Sequence, residues 1–163
     1  MSDFKILEDF INAETIILGI GNVLRQDDGF GSILAGRLNK KIGNNAIDCG
    51  VSPENYLGPL VKKHPERILI VDTLDFGGSA GAFKVLDGRE LKTANLFSTH
   101  NASLSLLIKF LKERNDADIM FLAVQPKRIG FGEGLSQELL LTLEKLEEFI
   151  LRQIETDKKK GVV

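Results

Sequence analysis

Three separated segments of the chain each contain a side chain that can bind a metal ion. Residues 17–29 supply Asp28, residues 68–72 end in Asp72, and residues 98–101 contain His100. The first two segments begin as short apolar runs, which are typical of buried parallel strands. Because the carboxyl ends of such strands form the ligand-binding crevice of an open α/β sheet, the three side chains are expected to meet there. Two carboxylates and an imidazole form a mixed oxygen and nitrogen ligand set that suits a divalent transition metal.

Strands and helices alternate along the chain, which predicts the framework that positions these residues. Apolar spacing predicts strands at 15–20, 46–48, 68–71, 82–86 and 119–124. It also predicts helices over 4–11 and from Asp28-Gly29 to about 41, a helix that starts at Pro53, a helix from Ser98 or Thr99 to about 112, and a final helix after Ser136. The segment 82–86 alternates in polarity and is interpreted as an edge strand. We therefore predict a single α/β domain over residues 1–155, with three αβα layers, a twisted, mostly parallel sheet and one antiparallel edge strand. Residues 156–163 are predicted to form a flexible tail.

The composition excludes several classes of function. The 163 residues include 43% apolar and 27% charged residues and carry a formal net charge of −2, which argues against binding to nucleic acid or anionic lipid. No apolar stretch reaches the roughly 18 residues that a membrane span requires. One cysteine, Cys49, cannot form an internal disulfide and suits a reducing compartment. The N-terminal residues do not resemble a signal peptide, so a cytoplasmic protein is expected.

Each candidate ligand also has an ordinary structural interpretation. Asp28 precedes a glycine at a helix start and could be an N-cap, Asp72 could cap a loop, and His100 could be a polar residue of a first helical turn. Taken singly, these interpretations are the simpler ones. All three residues nevertheless fall at the same kind of position in the predicted sheet, and carboxylates at the end of buried runs are costly unless they are paired or bind a cation.

Other sites are less well supported by the sequence. Gly19-Ile-Gly21 follows a strand, but Leu24 stands where a dinucleotide-binding motif has its third glycine, and acidic side chains at the helix entrance would repel a phosphate. His64 lies in a polar turn, and Cys49 is most simply a small buried hydrophobe. The common serine-hydrolase and zinc-hydrolase motifs are absent from the sequence.

Four motifs occur in an order that resembles the [NiFe]-hydrogenase maturation endopeptidases. They occupy residues 19–31, 47–50, 70–78 and 98–101, and the resemblance extends from Ile17 to about Leu143. Residues 52–55, 99–101 and 121–126, followed by Gly130-Phe131, are most similar to the branch that processes the large subunit of formate-hydrogenlyase-type hydrogenases.

The resemblance implies an endopeptidase, aspartic-type by family classification, that removes a short C-terminal extension from the hydrogenase large-subunit precursor after nickel insertion. It implies that nickel carried by this precursor is contacted by Asp28, Asp72 and His100, with no permanently bound cofactor. Some members of the family have Glu at the position of Asp28. Asp48 matches an acidic residue that lines the cleft, and Cys49 stands where glycine usually follows it. A monomer that partners transiently with its substrate is also implied.

Two mechanisms and one other class of function are compatible with the sequence. Substrate nickel could complete its coordination with the three residues and place the scissile peptide bond, after which the metal or a carboxylate activates water. Alternatively, Asp28 and Asp72 could share a proton as the catalytic pair of an aspartic protease does. The competing class is a nickel-dependent chaperone that holds the large subunit without cutting it, and a nucleotide-binding enzyme is a more distant alternative.

Overall fold

A five-stranded sheet forms the centre of the computed structural model, which describes residues 2–88, 90 and 101–161. The strands are β1 (Ile16–Ile20), β2 (Ala46–Gly50), β3 (Arg67–Thr73), β4 (Phe83–Asp87) and β5 (Asp118–Val124). They are arranged in the order β2-β1-β3-β5-β4. All neighbouring pairs are parallel except β4 with β5, which are antiparallel. The predicted fold class, including the antiparallel edge strand, is confirmed.

Five helices with described bounds cover the two faces of this sheet. They are α1 (Asp3–Phe10), α2 (Phe30–Ile42), α3 (Leu57–Lys62), α4 (Asn101–Asn115) and α5 (Gln137–Lys160), and short 3-10 turns occupy Gln26–Gly29, Gly43–Asn45 and Pro53–Tyr56. Helices α1, α2 and α5 contribute to one apolar cluster, while α3 and α4 contribute to another on the opposite face. Central strand β3 is buried from Ile68 to Thr73 because both of its faces are covered. Among the described residues, no helix combines the length and the apolar character needed to cross a membrane.

The final helix begins directly after Ser136, as predicted, but its capping and its C-terminal end differ from the prediction. Ser136 occupies the predicted N-cap position, but its hydroxyl makes no capping hydrogen bond and instead donates to Asp27. Residues from Thr156 onward were predicted to form a flexible tail, whereas α5 remains helical to Lys160. Asp157 accepts a hydrogen bond from the backbone N–H of Ala13 at 2.8 Å, and Ile154 is buried one turn earlier. These contacts attach the last turns of α5 to the body of the fold.

Candidate active site

Glycines allow the segment that carries Asp28 to pack directly on the sheet. A methyl group added to Gly19 would overlap the carbonyl oxygen of Gly31, and one added to Gly21 would overlap the carbonyl oxygen of Asp28. A side chain on Gly31 would in turn overlap carbonyl oxygens of β1 and β3. The glycine spacing after β1, which superficially suggested a nucleotide site, therefore serves close packing of backbone on backbone.

Asp27 is a buried carboxylate that is saturated with hydrogen bonds from one loop. The backbone N–H groups of Lys127 and Arg128 donate to its Oδ2 at 2.9 and 3.0 Å. The backbone N–H of Ser136 donates to Oδ1 at 2.7 Å, and the Ser136 hydroxyl donates to Oδ2 at 2.9 Å. Donors from a distant part of the chain thus satisfy both oxygens of this carboxylate, which gives Asp27 a structural role that the sequence did not reveal.

The neighbouring Asp28 is directed toward a different part of the molecule. Helix α2 begins after Gly29, and no side chain caps its first turn, so the N-cap interpretation of Asp28 is not what the structure adopts. Its Oδ1 instead accepts a hydrogen bond from the hydroxyl of Thr73, at 3.4 Å. Only 1% of Asp28 is exposed.

Asp72, within strand β3, also contacts Thr73. The strand continues two residues beyond its predicted end, so Asp72 is part of the ladder and is paired with Ala123. Its Oδ1 accepts the backbone N–H of Thr73 at 2.8 Å, and its exposure is 0%. Thr73 therefore connects two buried carboxylates, one through its hydroxyl and one through its backbone. Both contacts lie at the carboxyl end of β3, and the meeting of Asp28 and Asp72 as metal ligands stays a prediction.

The third predicted ligand, His100, lies outside the described residues. The described chain resumes at Asn101, the first residue of α4, whose buried residues pack in the same cluster as Ile68 and Ile70 of β3. Asp72 is on that face by the alternation of strand side chains. Within residues 2–88, 90 and 101–161, no group of three or more His, Cys, Asp or Glu side chains is arranged to hold a metal ion. His64 precedes the amino end of β3, whereas Asp72 lies at the carboxyl end of the same strand.

Asp48 lies near this edge, on β2 opposite Gly19 of β1. Its Oδ1 accepts hydrogen bonds from the Ser32 hydroxyl at 2.6 Å and from the Gly50 N–H at 3.0 Å. It also lines an open cavity of about 400 Å³ together with Cys49. Burial, and secondarily the charge of Asp48, raises the pKa of the Cys49 thiol to about 12. A protonated thiol is a poor nucleophile, which supports the structural interpretation of Cys49.

Gln125 holds the loop that follows β3, a role that the sequence pattern did not indicate. It follows β5, is buried, and its Oε1 accepts the backbone N–H groups of Phe76 and Gly78 at 2.9 and 3.1 Å. Its Nε2 donates to Asp75 at 3.1 Å. This bond, followed by that from the Gly77 N–H, lowers the pKa of the Asp75 carboxyl. The loop that leaves β3 just after Asp72 is thereby fixed to the neighbouring strand.

Comparison with known proteins identifies the family of proteins to which this chain belongs. The family model described as HycI, hydrogenase maturation protease, matches residues 33–153, which is most of the chain. The chain belongs to the hydrogenase maturation protease family. The resemblance inferred from its motifs is thus confirmed.

Individual relatives of this maturation protease chain agree in both sequence and fold. Hydrogenase 3 maturation protease from Escherichia coli K12 is 33% identical over 126 residues, which cover 76% of this chain and 80% of the relative. A putative hydrogenase maturation protease of Methanocaldococcus jannaschii is 31% identical over 150 residues, covering 86% and 88%. The crystal structure of the [NiFe] hydrogenase maturation protease HycI from Thermococcus kodakarensis KOD1 superposes with a TM-score of 0.81 at 33% identity, covering 92% of this chain and 99% of that one.

Proposed function

We propose that this protein is an endopeptidase that removes a short C-terminal extension from a [NiFe]-hydrogenase large-subunit precursor after nickel insertion. The observation that carries the proposal is that two buried carboxylates, Asp28 and Asp72, each contact Thr73 at the carboxyl end of β3. Ligands bind at this edge in open α/β sheets. Relatives that are named maturation proteases supply the class of reaction.

Nickel enters this proposal as part of the substrate. Two buried carboxylates, with 1% and 0% exposure, are costly to keep ionised, and a divalent cation reverses that cost. Oxygen ligands from Asp28 and Asp72, joined by the imidazole of His100, form the donor set that we assign to the nickel of the precursor. A precursor that has received its metal would then be held, and its peptide bond placed, by ligands that a nickel-free precursor cannot engage.

The chemical step after docking requires a group that accepts a proton from the attacking water. A carboxylate that does not hold the metal firmly would take this proton as the water adds to the scissile carbonyl, or the substrate nickel would lower the pKa of the water so that it attacks as hydroxide. The buried setting keeps the electrostatic interactions strong because bulk water is excluded. The alternative is a metal-free pair in which Asp28 and Asp72 share one proton. Metal ligation requires both carboxylates to be deprotonated, so the two mechanisms have opposite dependences on acidity.

The test is an intact-mass assay on the cognate precursor with this protein at catalytic amounts. Nickel-loaded and nickel-free precursor are incubated in parallel, from about pH 5 to pH 8. Loss of a C-terminal peptide from the loaded form alone, with activity that falls at acidic pH, supports nickel-guided cleavage. Cleavage of both forms that increases toward acidic pH would instead establish the metal-free pair.

A maturation chaperone is the competing function, because the described residues include no activated serine or cysteine nucleophile. The same assay distinguishes the two by stoichiometry. A protease produces many cleaved precursor molecules per enzyme molecule, whereas a chaperone forms a lasting one-to-one complex and leaves the mass of the precursor unchanged.

A further inference from the structure

Large apolar side chains are exposed beside the candidate active site. Val23 and Leu24 lie in the turn between β1 and the Asp28 segment, Val51 follows β2, and Phe131 lies on the loop after β5. Val23, Leu24 and Val51 line the same cavity as Asp48. We call these four side chains the apolar rim. Elsewhere among the described residues, the large hydrophobic side chains with comparable exposure are Leu106 and Leu141.

Phe131 belongs to the rim because its loop is hydrogen-bonded to the turn that carries Leu24. The N–H of Gly132 donates to the carbonyl of Leu24 at 2.9 Å, and the N–H of Gln26 donates to the carbonyl of Gly132 at 2.8 Å. On the other side of the ring, the N–H of Gly130 donates to the side-chain oxygen of Gln26 at 3.0 Å. Three hydrogen bonds therefore fix the backbone on both sides of Phe131.

The Phe131 ring is 98% exposed although its backbone is held in place. Gly132 adopts a φ of +140°, a conformation that favours glycine, and Asp27 anchors the same loop at Lys127 and Arg128. An aromatic side chain on a fixed backbone loses little conformational entropy when it is buried by a partner. Aromatic residues in such positions are typical anchors of protein interfaces.

The rim and the candidate active site share the same short segment of chain. Residues 22–29 place Val23 and Leu24 at the surface and Asp27 and Asp28 in the interior. A molecule that covers the rim is therefore held beside Asp28. A projecting ring needs a concave apolar acceptor, which a folded protein surface provides and a short extended peptide does not.

We propose that the apolar rim is the docking surface for the folded body of the large-subunit precursor, with Phe131 inserted into an apolar pocket of that partner. This inference rests on the proposed function and names the surface that positions the substrate. The carboxylates then act on the metal and the scissile bond, while the rim supplies affinity that is independent of nickel.

The experiment compares Phe131→Ala and Leu24→Ala with Leu106→Ala and Leu141→Ala. The controls are matched, since Leu106 and Leu141 are 58% and 57% exposed and Leu24 is 55% exposed. Cleavage of nickel-loaded precursor is followed at varied precursor concentration, and binding of nickel-free precursor is measured by calorimetry. We expect Phe131→Ala to raise KM and Kd by roughly 10- to 100-fold with kcat little changed, and each control to stay within about 2-fold.

Each other outcome has a defined meaning. Unchanged KM and Kd in Phe131→Ala would overturn the docking surface while leaving the endopeptidase intact. If wild type binds the precursor without cleaving it, the proposed function fails, but a loss of binding in Phe131→Ala still supports the rim. If wild type sediments as a dimer and Phe131→Ala as a monomer, the rim is a contact between copies of this chain, and the inference is overturned.

Discussion

Adjacent carboxylates with opposite roles give the sharpest prediction, in which Asp27→Asn impairs stability and Asp28→Asn impairs function. In Asp27→Asn the amide nitrogen must face a donor whichever way the side chain is turned. The least costly orientation places it against the N–H of Ser136 and preserves the contacts of Oδ2 with Lys127 and Arg128. That orientation loses one hydrogen bond to a charged group, about 1.5–3 kcal/mol, and leaves a buried N–H unsatisfied, about 1–3 kcal/mol.

The sum, about 2.5–6 kcal/mol, is a large fraction of the roughly 5–15 kcal/mol that stabilises a typical domain. Equilibrium unfolding in urea should therefore show a much lower midpoint with an unchanged slope, and the Tm should fall by about 10 °C. Asp28→Asn replaces a buried carboxylate by a neutral group of the same shape, so its free energy of unfolding should stay within about 1 kcal/mol of wild type. Its cleavage rate should nevertheless fall at least about 100-fold, because the substitution removes one of the ligands that we propose for the substrate nickel.

Asp118→Asn, at an exposed position in β5, controls for the loss of one negative charge and should alter neither property. The assignment of opposite roles would be refuted if Asp27→Asn were as stable as wild type. It would equally be refuted if Asp28→Asn retained full activity.

Three further predictions concern residues that support the site. Thr73→Val removes the hydroxyl that contacts Asp28, and kcat/KM should fall about 3- to 10-fold without unfolding; an unchanged value would show that this 3.4 Å contact does not orient Asp28. Gly31→Ala should destabilise the protein by about 3 kcal/mol or more in urea unfolding, because the added methyl group would overlap the backbone of the sheet. Gly36→Ala is the control on the same helix, where a methyl group meets open space, and it should stabilise the protein by up to about 1 kcal/mol. Equal effects would contradict the close packing of Gly31 on the sheet. With its pKa raised to about 12, Cys49 should react with iodoacetamide at pH 8 about 1000-fold more slowly in the native than in the unfolded protein, and rapid native labelling would contradict its burial. Because the folded pKa exceeds the unfolded one, the stability that the protonated thiol contributes is present below about pH 9 and is lost as the pH rises toward 12.

The sheet was predictable because each strand carries its own local signal. The aliphatic run 68–71 predicted a buried strand, and the alternating segment at 82–86 indicated the solvated edge that β4 occupies. The strand end was less accurate, since Asp72 and Thr73 continue β3 by pairing with Ala123 and Val124. Asp is a poor strand former by itself, and pairing with β5 nevertheless keeps Asp72 in the strand.

Contacts between distant segments were beyond the reach of a single sequence. Asp27 and Asp28 are identical in type and adjacent, and nothing local indicates that one meets the 127–136 loop and the other meets Thr73. Gln125 similarly acts on residues about fifty positions away. The candidate carboxylates were predicted from the convergence of strand ends, which is a property of the fold class, whereas the donors that contact them depend on tertiary register. His100, the third predicted ligand, lies outside the described residues and stays a prediction.

The central claim is that Asp28 and Asp72 recognise nickel in the precursor, and affinity measured with and without nickel tests it most directly. Calorimetry should compare wild type, Asp28→Asn and Asp72→Asn, each titrated with nickel-loaded and nickel-free precursor under conditions that prevent cleavage. We expect wild type to bind the loaded form about 10-fold or more tightly, and either substitution to abolish this preference while leaving the affinity for the nickel-free form unchanged. A nickel preference that persisted in both variants would contradict the claim, because recognition of the metal would then lie elsewhere.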